Sequence, residues 1–362
     1  MATMELATLT HNKHVKLVNN YEAAASAAQL VYVNDKDPGI ARVKKKNGFS
    51  YFFKEEEIKD VNELNRIQKL VIPPAWDRVW ICPKPNGHIQ ATGFDVRGRK
   101  QYRYHPLWNL LRNETKFHKL LEFAKVLPTL RLQVEKDLSL RELNERKVIA
   151  AVIALMERTF IRIGNAEYEK MNGSYGLTTL HDKHVKIEGD EINFSFKGKK
   201  SIHHNIFLKN KKLARLVKQC REIPGKELFQ YYDKDGQRRS IDSGMVNTYI
   251  KEITGDVFTA KDFRTWFGCI HLLMAFKEMA VAESMSACKK NINQALDYVS
   301  MHLGNTRTVC KKYYVHPGII RLYEENSLNK YLKELDKIEK PDDLSGLTSE
   351  EKVLMKILQE LV

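Results

Sequence analysis

The chain has 362 residues, with 60 Lys and Arg against 45 Asp and Glu, a formal net charge of +15 at neutral pH. At roughly 150 residues per domain the length suggests two domains, and 43% hydrophobic with 9% aromatic content can fill real cores, which excludes a disordered tail protein. The longest uncharged apolar run, residues 148–156, is short of the 18 or so that a membrane span needs, and the basic excess predicts a polyanionic partner, nucleic acid first.

The first twenty residues show no basic start followed by an apolar stretch, so no secretory signal is read there. Residues 40–45 and 49–54 are runs rich in β-branched and aromatic side chains around Lys46-Asn47-Gly48, and Asn-Gly between such runs predicts a hairpin. A short helix is expected at about 61–70, opened by Asp60 with Glu63 and stopped at Pro73-Pro74. A second Asn-Gly, Asn86-Gly87, separates strands at 78–82 and 88–92, and a turn-rich segment leads to another at 101–104. These features predict an amino-terminal domain over residues 1–106, a small antiparallel sheet with one or two helices.

From about Leu107 the hydrophobic period becomes helical. Phe117, Leu120, Leu121 and Phe123 share a face that Pro128 is expected to interrupt. Ser139 with Glu142 reads as a capping box opening an apolar helix through Val148, Val152, Leu155 and Thr159. One island of strand, at 185–188, 191–196 and 201–208, reads as a three-stranded meander with two tight turns. Further helices are expected at about 211–220, 243–253, 263–282 and 292–303. The fold class is therefore α+β: a β-rich amino-terminal domain, then a mainly helical domain over 107–362 with a three-stranded β-meander inside it. Five widely spaced cysteines without CxxC suggest reduced, intracellular thiols. Residues 326–362 carry six basic and eight acidic side chains, a net of −2, which suits a polyanion poorly. Thr348 with Glu351 caps a last helix, from about residue 345, whose Val353, Leu354, Ile357, Leu358 and Leu361 form a stripe expected to pack on its own domain.

Metal and cofactor chemistry find little support. His181 and His184 form an HxxH and His203-His204 are adjacent, without carboxylate or cysteine at ligand spacing. No phosphate-binding GxxxxGK[ST], no GxGxxG and no GxSxG elbow occurs, so no cofactor and no metal is implied. What stands out is cations at defined places. Arg162 follows the apolar helix, read as closed by Gly164. Lys199 sits at a hairpin tip in Phe196-Lys197-Gly198-Lys199, and Lys261 and Arg264 lie just before another apolar helix. A basic stretch, Gly304-Asn305-Thr306-Arg307 onward, ends in Tyr313-Tyr314. Singly, each also fits a helix cap, a solvated turn, a surface salt bridge or a basic loop.

Together these residues resemble the type IB DNA topoisomerases of the small branch found in poxviruses, other large DNA viruses and bacteria. The likeness includes, in order, GxDxxGRxQYxYH from Gly93 to His105, SYGLTTL from Ser174 to Leu180, the FxGK hairpin, TAKDFRTW from Thr259 to Trp266, and the Gly-Asn-Thr turn before the tyrosines. It spans residues 69–317.

The resemblance implies that Tyr314 attacks a phosphodiester of double-stranded DNA to form a 3′-phosphotyrosyl link, the free strand rotates, and the break is resealed without ATP or metal. Tyr313 is then a packing or backbone-contact residue. A phenol of ordinary pKa, about 10, needs charge stabilisation, and Arg162 and Arg264 match the two arginines that clamp the nonbridging oxygens. Lys199 matches the general acid for the leaving 5′ oxygen, and Lys261 is a second candidate in that relay. Asn305 stands where poxvirus members have histidine; it can donate one hydrogen bond but carries no charge, and His302, three residues earlier, is the alternative. In the amino-terminal domain Arg99, Gln101, Tyr102 and Tyr104 match the segment that touches DNA, with alternate-residue packing as the other reading for the two tyrosines. The expected partner is duplex DNA held by a monomer that clamps it, with no membrane association. The setting is intracellular: a virion or virus factory for a viral source, which the lysine-rich style favours, or the nucleoid for a bacterial one. A tyrosine recombinase and a non-catalytic architectural DNA-binding protein are the competing functions; recombinases generally show HxxR where this chain has Lys261-Asp262-Phe263-Arg264.

Overall fold

The computed structural model describes residues 9–46, 48–255, 258–280, 282–335 and 346–361. Its first elements are α1 (His11–Leu17), α2 (Tyr21–Ala27), β1 (Ile40–Lys45), β2 (Gly48–Phe53), β3 (Glu56–Glu57), α3 (Val61–Lys69), β4 (Asp77–Ile81), β5 (Ile89–Phe94) and β6 (Lys100–Tyr104). The six strands form one antiparallel sheet in the order β3-β2-β1-β4-β5-β6. β1 and β2 pair in register as far as Lys45 opposite Gly48; Asn47, on which that hairpin was read, lies outside the described residues. Asp60 accepts from the N–H groups of Asn62 and Glu63 and starts α3, as its sequence asks. Ile67 of α3 packs with Ile40, Val79, Ile81 and Ala91. Two helices were expected here at most, and there are three. α1 and α2 are seven residues each, too short for a readable period, and are held by burial of Leu17, Ala24 and Ala25 against Trp108 and Leu111.

Those last two residues belong to α4 (Pro106–Leu138), which runs through Pro128 where an interruption was expected. Proline removes one hydrogen bond, but Leu127 and Leu130 beside it are fully buried, and packing carries the helix across. The chain divides into two compact units, Met1–Lys119 and Leu120–Val362, and the division falls within α4.

The second unit continues with α5 (Glu145–Thr159), α6 (Ala166–Asn172), the meander β7 (Val185–Glu188), β8 (Glu191–Lys197) and β9 (His203–Lys209), then α7 (Lys211–Glu222). A small hairpin, β10 (Gln230–Tyr232) and β11 (Arg238–Ser240), precedes α8 (Ser243–Thr254), α9 (Ala260–Lys277), α10 (Met285–Leu303), α11 (Arg307–Tyr313), α12 (Pro317–Glu324), α13 (Asn329–Leu335) and α14 (Ser349–Leu361). α5 is the core helix: residues 148–156 are all buried. Its cap is Asn144, whose side chain accepts from the Lys147 N–H; Ser139, expected to cap it, instead donates its hydroxyl to the Glu135 carbonyl at the end of α4.

α9 begins three residues earlier than read, because the Thr259 N–H and hydroxyl both donate to Asp262. Lys261 and Arg264 are therefore inside its first turns and not ahead of it. The Thr348–Glu351 cap forms as expected, and Val353, Leu354, Ile357 and Leu358 of α14 join the core of their own unit. All five cysteines are buried free thiols. No described helix is long and apolar enough to cross a membrane. The fold class is α+β.

Candidate active site

Five of the expected residues, Arg162, Lys199, Lys261, Arg264 and Tyr314, line one pocket of about 330 Å³ in the second unit, together with Tyr168 and Tyr175. α5 closes at Phe160, a left-handed residue with φ 56°, so Arg162 stands beyond the helix in an extended segment, and Gly164 does not close the helix as read. That segment is splinted by the Ser174–Leu180 stretch: the Leu177 N–H donates to the Arg162 carbonyl (2.8 Å) and the Thr178 N–H to the Ile163 carbonyl (2.7 Å).

Main-chain carbonyls at two helix ends hold both guanidiniums. Arg264 donates from Nη1 to Phe160 O (2.7 Å) and from Nη2 to Leu303 O (2.6 Å). Arg162 donates from Nη2 to Gly304 O (3.0 Å) and to Asn305 Oδ1 (2.7 Å). Carbonyls at the C-terminal ends of α5 and α10 carry partial negative charge, which suits a cation without neutralising it. Arg264 is only 7% exposed, and its Nε is buried with no hydrogen-bond partner among the described residues. No Asp or Glu is among the pocket-lining residues. Burial, with the Arg264 charge adding to it, pushes the Arg162 guanidinium down to about 10; burial likewise lowers Arg264, opposed by Tyr314. A buried and a half-buried cation without a carboxylate among the lining residues are costly in the free protein, and an anion in the pocket would relieve both.

Tyr314 follows α11 directly, and its ring centroid lies 5.2 Å from Arg264 Cζ. Its backbone rests on α9 at Gly268, where a Cβ would come within 2.4 Å of the Tyr314 carbonyl oxygen. The Cys269 sulfur next door accepts from the His316 N–H, fixing the turn after the tyrosine. Tyr313 is 43% exposed and lies outside the lining. Lys199 is at the β8–β9 tip, closed by the Gly198 N–H to the Ile202 carbonyl (2.8 Å), with its Nζ 5.7 Å from the Tyr168 ring.

Asn305 turns its carbonyl oxygen to Arg162, and its amide nitrogen has only a long 3.4 Å contact to Leu303 O. His302 donates from Nδ1 to Tyr298 O on its own helix (2.9 Å) and stacks on His271 at 4.5 Å, outside the pocket. The HxxH is structural: His181 contacts Glu169 (3.0 Å), and its N–H donates to His184 Nδ1. Cys310, near the arginines, is a buried thiol pushed up to about 11 by its burial, unsuited to act as a nucleophile. Among the described residues no group of three His, Cys, Asp or Glu side chains could hold a metal ion.

In the first unit, Tyr102 and Tyr104 are exposed on one face of β6, with rings stacked at 5.7 Å. Gln101 is on the opposite face, its amide donating to Asp95 (3.0 Å), and Arg99 donates to the same carboxylate (2.8 Å). Sequence reasoning missed Phe160, Gly268 and Leu303. Their parts are played by backbone, and no side-chain letter announces them.

The family model described as eukaryotic DNA topoisomerase I, catalytic core, matches residues 101–341, and that of the bacterial DNA topoisomerase IB N-terminal domain matches residues 48–95. The chain is 35% identical over 297 residues to a DNA topoisomerase 1B of Acanthamoeba polyphaga mimivirus, covering 80% of this chain and 88% of that protein. It is 24% identical over 238 residues to a DNA topoisomerase I of monkeypox virus, covering 65% and 73%. A DNA topoisomerase 1 of Mycosarcoma maydis is 25% identical over 199 residues, 49% of this chain and 19% of that protein.

Proposed function

Because the chain belongs to the type IB DNA topoisomerases, which are isomerases, we propose that it relaxes supercoiled duplex DNA through a transient single-strand break made in this pocket. The Tyr314 oxygen attacks the scissile phosphorus, its proton passing to water. The bond to the 5′ oxygen breaks, a 3′-phosphotyrosyl ester forms, and Lys199 gives the departing oxygen its proton. An alkoxide, whose conjugate acid has a pKa near that of water at about 15.7, leaves poorly without one. The free strand rotates and its hydroxyl reverses the attack. The ester conserves the energy of the broken bond, so no nucleotide is consumed.

The observation that carries this reading is Arg264: a buried guanidinium aimed by two carbonyls, with an Nε unpartnered among the described residues, no carboxylate among the pocket lining and Tyr314 beside it. A phosphodiester supplies the missing countercharge through its nonbridging oxygens, and more strongly as negative charge builds in the transition state. Arg162 takes the second oxygen. Asn305 orients Arg162 through its carbonyl, and its loosely held amide is the donor that turns to the phosphoryl group; that His302 is engaged with Tyr298 O and His271 supports this choice. Lys261, in the first turn of α9, is the second member of the proton relay.

Outside the pocket, Arg99, Gln101, Tyr102 and Tyr104 contact the duplex, with Asp95 presenting the first two, and a monomer grips it with both units. The viral relatives support a source in a large DNA virus, and with it action in a virus factory. The test is supercoiled plasmid in EDTA without ATP: relaxation is expected, and Tyr314→Phe ends it. Recombination between paired sites without relaxation points to the recombinase reading. Salt-sensitive binding alone leaves an architectural protein.

A further inference from the structure

One side chain at the pocket's edge has no part in the mechanism above. His204, near the start of β9, is half-buried with its ring stacked on Phe196 at 5.1 Å. The ring fills the space between two glycines of separate loops. A Cβ at Gly198 would stand 2.5 Å from its Cδ2 and Nε2, and a Cβ at Gly304 would stand 2.3 Å from its Cε1. Gly198 precedes Lys199. Gly304 precedes Asn305, and its carbonyl accepts from Arg162. The imidazole is thus the solid body between the hairpin that carries Lys199 and the turn that carries Asn305. Neither ring nitrogen has a hydrogen-bond partner among the described residues, so what the ring offers its neighbours is shape.

We propose that His204 is a positioning residue for Lys199: its uncharged ring registers the hairpin tip against the Gly304–Asn305 turn and so sets where the ammonium stands relative to the leaving 5′ oxygen. This rests on the role given to Lys199 above. Arg264 is fixed without the ring, by Phe160 O and Leu303 O, and the Gly304–Asn305 turn that holds Arg162 is tied to α10 by its own backbone bonds to Met301 O and Ser300 O, whereas the hairpin tip, closed by the Gly198–Ile202 bond and anchored behind it where the Tyr175 N–H donates to Lys197 O, meets this wall through the ring. Loss of the ring therefore falls on the lysine more than on the clamp. The surroundings keep the ring neutral. Burial first, then Arg162, Arg264 and the adjacent His203, push its pKa down to about 4, so a third cation does not form beside the two guanidiniums at neutral pH.

The experiment compares single-turnover cleavage of two duplexes that differ in one atom, on a site recovered by covalent trapping from a randomised pool. One has the ordinary 5′ oxygen at the scissile bond. The other has sulfur there, which leaves as a thiolate and needs no proton, an ordinary thiol having a pKa of about 8.5. His204→Ala is expected to slow the oxygen substrate by about 10- to 100-fold, the scale of a misplaced catalytic group, and to cleave the sulfur substrate within about 3-fold of the native rate. His204→Phe, a neutral ring that keeps the stack on Phe196, is expected to recover the oxygen substrate to within about 3-fold of native.

Three results overturn the proposal: His204→Ala near native on oxygen, equal slowing of both substrates, or a His204→Phe chain as slow as the alanine variant on oxygen. The second means that the ring supports the fold or the clamp, and the third that its nitrogens do the work. Lys199→Ala is the separate check on the underlying reading. If sulfur fails to rescue that variant, the acid role of Lys199 is what fails, whatever His204 does.

Discussion

Arg131 of α4, its side chain 11% exposed, and Arg264 of α9, buried, lie in the same unit, and their surroundings are opposite. Arg131 donates to Glu157 at 2.6 Å and to both oxygens of Glu351 at 2.7 and 2.8 Å. Arg264 is given two main-chain carbonyls and a neighbouring phenol. Burial alone would push either guanidinium down. The Glu351 and Glu157 carboxylates outweigh it and raise Arg131, whereas Arg264 stays lowered. The first charge is satisfied by the protein and ties α4, α5 and α14 together. The second is aimed but left short of countercharge, the condition in which an incoming phosphate gains most. Burial of an arginine therefore says little by itself, and the identity of its acceptors separates scaffold from site.

That contrast can be broken by experiment. Arg131→Met leaves two carboxylates buried without their cation, so stability should fall by about 3–5 kcal/mol, read as denaturant midpoint, while folded protein cleaves DNA at close to the native rate. Arg264→Ala should do the reverse: single-turnover cleavage slower by roughly 10²–10³-fold, the scale of one preorganised donor, with Tm unchanged or raised. A parallel fall in Tm would place Arg264 with Arg131 as a structural residue. Gly268→Ala probes the seat of Tyr314, the proposed nucleophile. Its Cβ would press on the Tyr314 carbonyl, and covalent-complex formation should slow by about 10- to 100-fold with duplex affinity retained.

The smallest effect is on pH dependence. The Arg162 charge, lowered to about 10 in the free protein, is present below that pH and lost above it. Duplex affinity of a Tyr314→Phe chain should therefore weaken as pH rises through about 10, by no more than tenfold per unit. A further Arg162→Gln change should remove that component while leaving the background from surface lysines.

What could be read from the sequence follows where the physics is local. Asp60 and Thr348 capped the helices they precede, and the strand–turn alternation of residues 185–208 became the meander that presents Lys199. The misreadings came from competition between signals. Ser139 and Asn144 are both cap-forming residues a few positions apart, and burial of α5 chose Asn144. Pro128 obeyed its own chemistry, yet Leu127 and Leu130 had more to gain from a continuous helix. The site divides likewise. The side chains that line it are visible as residue types in ordered motifs, but the cradle made by Phe160, Leu303 and Gly304 is carbonyl oxygen, which every residue has. Contacts such as Gly268 against Tyr314 join positions whose proximity exists only after folding.

The Glu351 carboxylate also accepts from Trp266 Nε1 at 2.8 Å, so one side chain of α14 closes contacts with α4 and with the helix that carries Lys261 and Arg264. Its partner Arg131 lies 220 residues earlier in the chain. On the ribosome α9 is made long before the acceptor of its Trp266 indole has emerged. Until synthesis has passed Glu351, Arg131 and the Trp266 indole lack the carboxylate to which both donate in the folded unit.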